Sequence, residues 1–202
     1  MNFKKLKRKT CQYAAFSVAL LLATPSSAAS FDTLVPAFAK VKAAQQNLGQ
    51  MQWKHYYSNN GKCTIALPNK PEHMKQVMSD PQTGNSMNYD VYLAAFEKKA
   101  VYMVLIANYP EPIKVSDSIQ SLENFLNGLL TQNPHNKLLF ADITTVGGCK
   151  ALDFIIEAKG VLFQGRAILS ETNMYLLAME CQRENYQEQH YTYFIQSFQF
   201  GK

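Results

Sequence analysis

Beyond the first thirty residues, the side chains best suited to nucleophilic or metal-binding chemistry are three cysteines and four histidines. They are Cys63, Cys149, Cys181, His55, His73, His135 and His190. A zinc site needs several ligands at short spacing, as in CxxC or HExxH, and a catalytic thiol needs a base beside it. The sequence contains neither spacing. It therefore predicts no metal site and no cofactor.

Other enzyme signatures are also missing from the sequence. It contains no GxSxG, SxxK or Walker pattern, and Gly147-Gly148 falls between two predicted strands, where a turn is needed. Asp153 and Arg166 could act as an acid and an electrostatic clamp, but a cross-strand ion pair is the simpler interpretation. Catalysis is not favoured, although an enzyme site assembled from distant residues stays an alternative.

The odd number of cysteines leaves thiol pairing open. Cys149 enters the first strand of a predicted meander and Cys181 leaves the third, which places them roughly 25 Å apart. A disulfide needs Cα atoms within about 7 Å, so this pair is disfavoured. Cys63 with either of the others stays possible. The simplest prediction for Cys181 is a small, buried apolar residue.

The stretch "YYSNNGKCTIALPNKP" predicts a β-hairpin that opens the folded region. Two β-prone runs flank Asn60-Gly61, a dipeptide that suits the positive φ angles of a type I′ turn. Pro68 and Pro71 end the second strand because neither can donate to a sheet ladder. Backbone geometry alone explains this stretch.

The remaining pattern predicts strands and two helices. We expect strands over 74–78, 86–97, 101–110, 137–146, 150–158, 161–169 and 174–182, with a turn at 79–85. One helix follows Asp117, with Gln120 completing a capping box, and ends before Pro134. The second helix begins near Asn185 and carries Tyr191 on its apolar face.

A strand register can be derived for the meander. If Lys159-Gly160 form a two-residue turn, Phe154 faces Gly165, Ile156 faces Phe163 and Asp153 faces Arg166. A three-residue loop at 171–173 would then place Tyr175, Leu177, Met179 and Cys181 on the same apolar face as Phe163. We therefore expect an antiparallel meander with helices on both faces.

Aromatic side chains and one ion pair are the candidate contact residues. The candidates are Trp53, Tyr56, Tyr57, Tyr191, Asp153 and Arg166. Rings with a polar edge are common at recognition surfaces, and they are also common where helices pack on sheets. We expect them to contact a surface partner or ligand, if the protein binds one.

The N-terminus predicts export. Five basic residues precede the apolar run 13–23 and a small-residue segment suited to cleavage. The run is about 11 residues, shorter than the roughly 20 that span a membrane. We therefore predict a cleaved Sec-type bacterial signal peptide at 1–29, an amphipathic helix at 30–50, and one α+β domain at 51–202. The mature protein is expected to be periplasmic or secreted, without a membrane span.

Charge balance argues against two partner classes. The chain has 20 basic and 15 acidic residues, and removing the five basic residues of the signal leaves 15 of each. A near-neutral domain lacks the basic surface patch that attracts nucleic acids and anionic membranes. The expected partner is an unidentified protein or small molecule, and no nucleic acid.

The order of these signals resembles small exported bacterial proteins of PsbP-like fold. The matching stretches are "YYSNNGKCTIALPNKP", "YDVYLAAF", "VYMVLIANYP", "FLNGLL", "GGCKALDF", "GRAIL", "MYLLAM" and "YFIQSFQF". The resemblance covers about residues 53–200 and implies an α-β-α sandwich, in which a curved antiparallel sheet is flanked by helices. It also implies a non-enzymatic binding or assembly module, but it identifies no functional residue here.

The sequence favours two functions. The first is an exported binding or accessory module with an unknown ligand. The alternative is a carrier that holds an apolar small molecule between sheet and helix, in a cavity behind Phe163, Tyr175 and Leu177. An enzyme is the least favoured class.

Overall fold

The computed structural model describes residues 52–79 and 86–201. The strands in this part are β1 (Lys54–Ser58), β2 (Cys63–Leu67), β3 (Glu72–Ser79), β4 (Ser86–Phe96), β5 (Ala100–Asn108), β6 (Lys137–Val146), β7 (Cys149–Ala158), β8 (Val161–Leu169), β9 (Asn173–Gln182) and β10 (Gln199–Phe200). The helices are α1 (Ser118–Thr131) and α2 (Glu188–Gln196). The predicted signal peptide, the helix at 30–50 and most of the turn at 79–85 lie outside the described residues.

Seven strands form one antiparallel sheet in the order β3-β4-β5-β9-β8-β7-β6. The strands β1, β2 and β10 form a second, three-stranded sheet. The predicted meander is confirmed, because β6 to β9 are adjacent in chain order. β10, a two-residue strand, was not predicted.

Each face of the large sheet is covered, as an α-β-α sandwich requires. On one face, here called the α1 face, helix α1 buries four apolar residues against a core that includes Phe154 and Phe163. These four are Leu122, Phe125, Leu126 and Leu129. On the opposite α2 face, Tyr191 and Phe194 of α2 pack together with the small sheet. Spacing of apolar residues at i, i+3, i+4 and i+7 explains why each helix presents one buried stripe.

The predicted register of β7 with β8 is confirmed. Phe154 pairs with Gly165, Ile156 with Phe163, and Asp153 with Arg166. Lys159 and Gly160 have φ angles of 51° and 80°, as a type I′ turn requires. A Cβ on Gly165 would lie 2.6 Å from Phe154 Cζ, so the glycine makes room for the opposing ring.

The predicted register of β8 with β9 is wrong by one residue. Phe163 pairs with Glu180, and Leu169 pairs with Met174. Ser170 donates its backbone N–H to Asn173 O at 2.8 Å, so the loop has two residues instead of three. Because a one-residue slip reverses every side chain, the predicted quartet lies on the α2 face. Its members are Tyr175, Leu177, Met179 and Cys181.

The opening hairpin is confirmed, but its predicted turn is wrong. Ser58 pairs with Cys63, which leaves a four-residue loop, and Lys62 has the positive φ, 44°. Gly61 is needed for a close approach, because a Cβ there would lie 2.5 Å from Ile106 Cδ1. The Tyr175 hydroxyl donates to Gly61 O at 2.8 Å. The loop is thereby fixed on the large sheet.

Helix ends differ slightly from the prediction. Asp117 is the N-cap of α1, but its side chain makes no capping hydrogen bond. The amide of Gln120 donates to Asn124 Oδ1 at 3.1 Å, so the predicted capping box does not form. A short 3-10 turn at Arg183–Asn185 precedes α2, which begins at Glu188. The predicted start near Asn185 therefore included this turn.

Candidate functional site

The polar group with the lowest exposure near the opening hairpin is the carboxylate of Asp90 in β4. Asp90 is 1% exposed and lies on the α2 face. His73 Nε2 lies 2.6 Å from its Oδ1, and Asn60 Nδ2 donates to its Oδ2 at 2.6 Å. Lys75 is opposite Asp90 in the register, with an exposed side chain. A buried carboxylate must be compensated, and here one donor comes from β3 and the other from the hairpin loop.

His73 is held by a second contact. Its ring stacks on Tyr92 with centroids 4.2 Å apart and planes 2° apart. The Tyr92 hydroxyl donates to Ser58 Oγ at 3.2 Å, and Ser58 Oγ accepts the Gly61 N–H at 3.1 Å. Together these five contacts join β1, its loop, β3 and β4. We call Ser58, Asn60, His73, Asp90 and Tyr92 the Asp90 cluster.

An imidazole oriented by a carboxylate is also a component of acid–base sites. The described contacts of the cluster serve a structural purpose, however. Ser58 is 5% exposed, and its hydroxyl oxygen accepts hydrogen bonds from Tyr92 and Gly61. Burial raises the pKa of the nearby Cys63 thiol to about 12, so it is protonated at neutral pH. The arrangement supports a latch between hairpin and sheet better than it supports catalysis.

Asp153 and Arg166 form the predicted cross-strand pair. Arg166 Nε donates to Asp153 Oδ1 at 2.6 Å, and Arg166 Nη2 donates to Oδ2 at 2.7 Å. This hydrogen bonding raises the pKa of Arg166. Asp142 of β6 stands opposite Asp153 on its other side, so two carboxylates and one guanidinium share a row. Only one carboxylate is neutralised by the bidentate pair.

Tyr191 is not a surface residue, contrary to its selection as a contact candidate. It is 4% exposed and packs in the core of the α2 face. Burial raises its pKa, and the charge of Asp153 acts in the same direction. The spacing of apolar residues in α2 had placed Tyr191 on the buried face of the helix, and this spacing argues against a surface role.

The other aromatic candidates lie along β1 and just before it. Tyr57 is 54% exposed, whereas Trp53 and Tyr56 are half-buried against the core of the α2 face. The Trp53 ring lies 4.9 Å from Tyr193 and 5.4 Å from Tyr102, between centroids. The structure does not bring these aromatic residues together with Asp153 and Arg166 through any described contact. Trp53 therefore packs between Tyr102 of β5 and Tyr193 of α2.

Cys63, Cys149 and Cys181 are free thiols. Burial raises the pKa of Cys63 to about 12 and of Cys181 to about 11. Cys149 is half-buried, and burial raises its pKa as well. Thiolates are the reactive form, so reactivity should follow exposure and pKa.

We expect iodoacetamide at pH 8 to modify Cys149 at least about 10-fold faster than Cys63 or Cys181, because the latter are buried and almost fully protonated. Intact mass and peptide mapping of protein recovered from the exported fraction measure this. Unfolding in guanidinium should expose all three thiols, which is the control. Labelling of Cys63 at the rate of Cys149, or a linked pair, would contradict the expectation.

Four of the nine exposed large apolar side chains among the described residues lie on β6. Leu138, Leu139, Phe140 and Ile143 are 44%, 49%, 47% and 36% exposed. Among the described strands, β6 has a neighbour only on its β7 side. Phe140 lies on the α2 face and Ile143 on the α1 face, as their partners Ile155 and Leu152 show. β6 therefore exposes large apolar side chains on both faces and is open along its edge.

The edge at the other end of the sheet has a different character. β3 exposes Lys75 and His73 beside one large apolar residue, Val77. Charged side chains, lysine above all, discourage strand addition at an edge. The sequence predicts both strands but not which of them is the more exposed. Of the two edge strands, β6 is the one that exposes more large apolar side chains.

The described residues also bear on metal binding and membrane insertion. No three His, Cys, Asp or Glu side chains converge closely enough to hold a metal ion within residues 52–79 and 86–201. In the same ranges, neither helix combines the length and apolar character of a membrane span.

Comparison with known proteins identifies the fold. No protein-family model matches the sequence, and no curated protein matches it significantly. Cyanobacterial PsbP (CyanoP) from Synechocystis sp. PCC 6803 is similar in structure, with a TM-score of 0.52 and 10% identity over 76% of this chain and 95% of that one. The chain thus has the PsbP-like α+β fold that the sequence predicted. At this identity the likeness shows the fold alone.

Two more solved structures are more distant. One, from Bacteroides thetaiotaomicron VPI-5482, has a TM-score of 0.41 at 10% identity over 75% of this chain and 50% of that chain. The other, a protein of unknown function, PA94, from Pseudomonas aeruginosa, has a TM-score of 0.33 at 11% identity over 66% and 85%. Neither carries an argument about this chain.

Proposed function

We propose that this chain is an exported, non-enzymatic binding or accessory module that docks a protein partner along β6. The observation that supports this most directly is the exposure of four large apolar side chains within six residues of an open edge strand. Monomeric proteins seldom leave such surfaces uncovered, and they usually mark interaction sites. A partner would relieve both the apolar exposure and the unpaired backbone edge.

The chemistry of β6 defines the kind of partner. Strand addition supplies main-chain hydrogen bonds to an open edge, and side chains on alternate positions give specificity. Phe140 projects on the α2 face, whereas Ile143 projects on the α1 face. A matching partner is therefore an extended segment with apolar side chains on both faces, carried by a protein.

Export is part of the proposal and rests on the sequence. Five basic residues, an apolar run at 13–23 and a small-residue segment are typical of a cleaved signal. We place the mature chain in the periplasm or outside the cell. The mass measurement on the exported fraction, described for the thiols, also reports whether residues 1–29 have been removed.

The carrier alternative loses its proposed cavity. Phe163 packs in the core of the α1 face, whereas Tyr175 and Leu177 pack in the core of the α2 face. The sheet itself separates them, so the three residues cannot line one cavity. The one-residue register difference between β8 and β9 is the reason.

Photo-cross-linking in the producing cell tests the docking surface. We expect benzoylphenylalanine in place of Phe140 to give one adduct of defined mass, because a bound strand would cover this side chain. The matched control is the same analogue in place of Val77, which is 63% exposed on the opposite edge and should give no adduct. Mass spectrometry of the purified chain measures both.

A charge on β6 provides the second arm of this test. Ile143→Lys should reduce the adduct at position 140 at least about 10-fold, since lysine on an edge opposes strand pairing. Equal adducts at positions 140 and 77, or none at 140, would contradict docking along β6. An adduct within a single chain would show that residues 1–51 cover the strand, and it would contradict the proposal too.

A further inference from the structure

The turn that follows β6 determines which backbone groups face its open edge. Gly147 and Gly148 have φ angles of 55° and 84°, and they join Val146 to Cys149 in a two-residue turn. Residues flanking such a turn form a hydrogen-bonded pair, and the pattern alternates along the strand. Backbone N–H and C=O groups therefore bond to β7 at every second residue of β6, namely Val146, Thr144, Asp142 and Phe140. Ala141, Ile143 and Thr145 present theirs to the open edge.

A bulge limits the regular part of this edge. Leu138 pairs with Ile156 and Phe140 pairs with Ile155, so Leu139 is the extra residue. Bulges interrupt the ladder and increase local twist. Regular pairing along the open edge can therefore run from Phe140 to Val146.

We infer that the partner docked on β6 is a second copy of this chain, paired antiparallel about a two-fold axis at Ile143. This rests on the proposed function. The pairing places Ile143 opposite itself, Phe140 opposite Val146 and Ala141 opposite Thr145. All seven regular residues are then paired, and the two seven-stranded sheets become one continuous sheet. Self-pairing of one surface in this way is the commonest form of protein symmetry.

Charge repulsion favours the axis at Ile143 over an axis at Asp142. An axis at Asp142 would set Asp142 against its own copy, with Asp153 beside each. Four carboxylates would share one row with only two Arg166 side chains, and like charges directly opposite are destabilising. The axis at Ile143 sets Asp142 opposite the Thr144 hydroxyl instead.

The number of paired residues favours the axis at Ile143 over an axis at Thr144. An axis at Thr144 would pair only residues 142–146 and would leave Phe140 without a partner. With the axis at Ile143, Phe140 lies beside Val146 of the second copy on the α2 face, twice by symmetry. Phe140 and Ile143, two of the four exposed apolar residues of β6, are then covered, one on each face of the strand.

Cysteine cross-linking tests the axis. In a Cys149→Ser background, Ile143→Cys should form an interchain disulfide under mild oxidation. Opposed hydrogen-bonded residues have Cα atoms about 5.5 Å apart, within the range for a disulfide. Thr145→Cys is the matched control on the same edge and face. Its two copies would lie four residues apart along the strands, about 14 Å, and should not link.

The oligomeric state of the unmodified chain is the second measurement. We expect light scattering after gel filtration to give twice the chain mass, and Ile143→Lys to give the single mass with unchanged circular dichroism. Cross-linking through Thr145→Cys as fast as through Ile143→Cys would overturn the inferred axis. A monomer that does not cross-link at either position would overturn self-pairing. In that case an adduct from position 140 to a different protein would still uphold docking along β6, whereas no adduct would remove both.

Discussion

Replacing Phe163 by aspartate should abolish cooperative folding. Phe163 is 2% exposed in the core of the α1 face, where it lies 5.7 Å from the Phe154 ring, between centroids. Burying an unpaired carboxylate there adds a desolvation cost to the loss of a large apolar side chain. Together these effects should exceed about 5 kcal/mol, comparable to the whole stability of a small protein. Thermal unfolding followed by circular dichroism measures the loss.

The chain contains a matched control for this change. Val77→Asp introduces the same carboxylate at a position that is 63% exposed, on the edge strand β3 and away from β6. It should change the free energy of unfolding by no more than about 1 kcal/mol, as for most surface substitutions. A Phe163→Asp variant that melts cooperatively near the parent temperature would show that Phe163 is not part of the packed core.

The fold was predictable where a turn and an apolar pattern agreed. Lys159-Gly160 allows a two-residue turn, and this turn alone sets the β7–β8 register. The loop after β8 carries no glycine, so the sequence did not distinguish two residues from three. Both faces of β9 carry mainly apolar residues, with Glu180 the one charged exception, and the hydrophobic pattern therefore did not correct the one-residue slip.

The candidate surfaces were less predictable than the fold. "KLLFADITTV" reads as a strand, but strand order decides whether its apolar residues are buried, and order depends on pairings distant in sequence. In the Asp90 cluster, His73 and Asn60 contact Asp90 although they lie 17 and 30 positions from it in the sequence. The side chain of an asparagine in a turn usually hydrogen-bonds to nearby backbone, so the sequence pattern did not indicate the long-range hydrogen bond from Asn60 to Asp90.

Removing both donors from Asp90 should destabilise the protein by about 3–5 kcal/mol, the cost of leaving a buried charge without compensation. The double variant Asn60→Ala, His73→Ala deletes the two groups that lie 2.6 Å from the carboxylate oxygens. Asp90 stays in place at 1% exposure. Urea unfolding at pH 7 measures the change. The hairpin should also lose its tie to β4, so faster hydrogen exchange at residues 59–62 is expected.

A third substitution separates the buried charge from simple loss of packing. Adding Asp90→Leu to the double variant removes the uncompensated carboxylate and fills its site with an apolar side chain. Replacing a buried ionic group by an apolar one of similar volume is often neutral or stabilising, so the triple variant should recover more than half of the lost stability. If the triple variant is less stable than the double variant, Asp90 contributes through contacts other than those with Asn60 and His73. Recovery would show that the two donors are needed because the carboxylate is buried, which is the property that makes the cluster a latch for the hairpin.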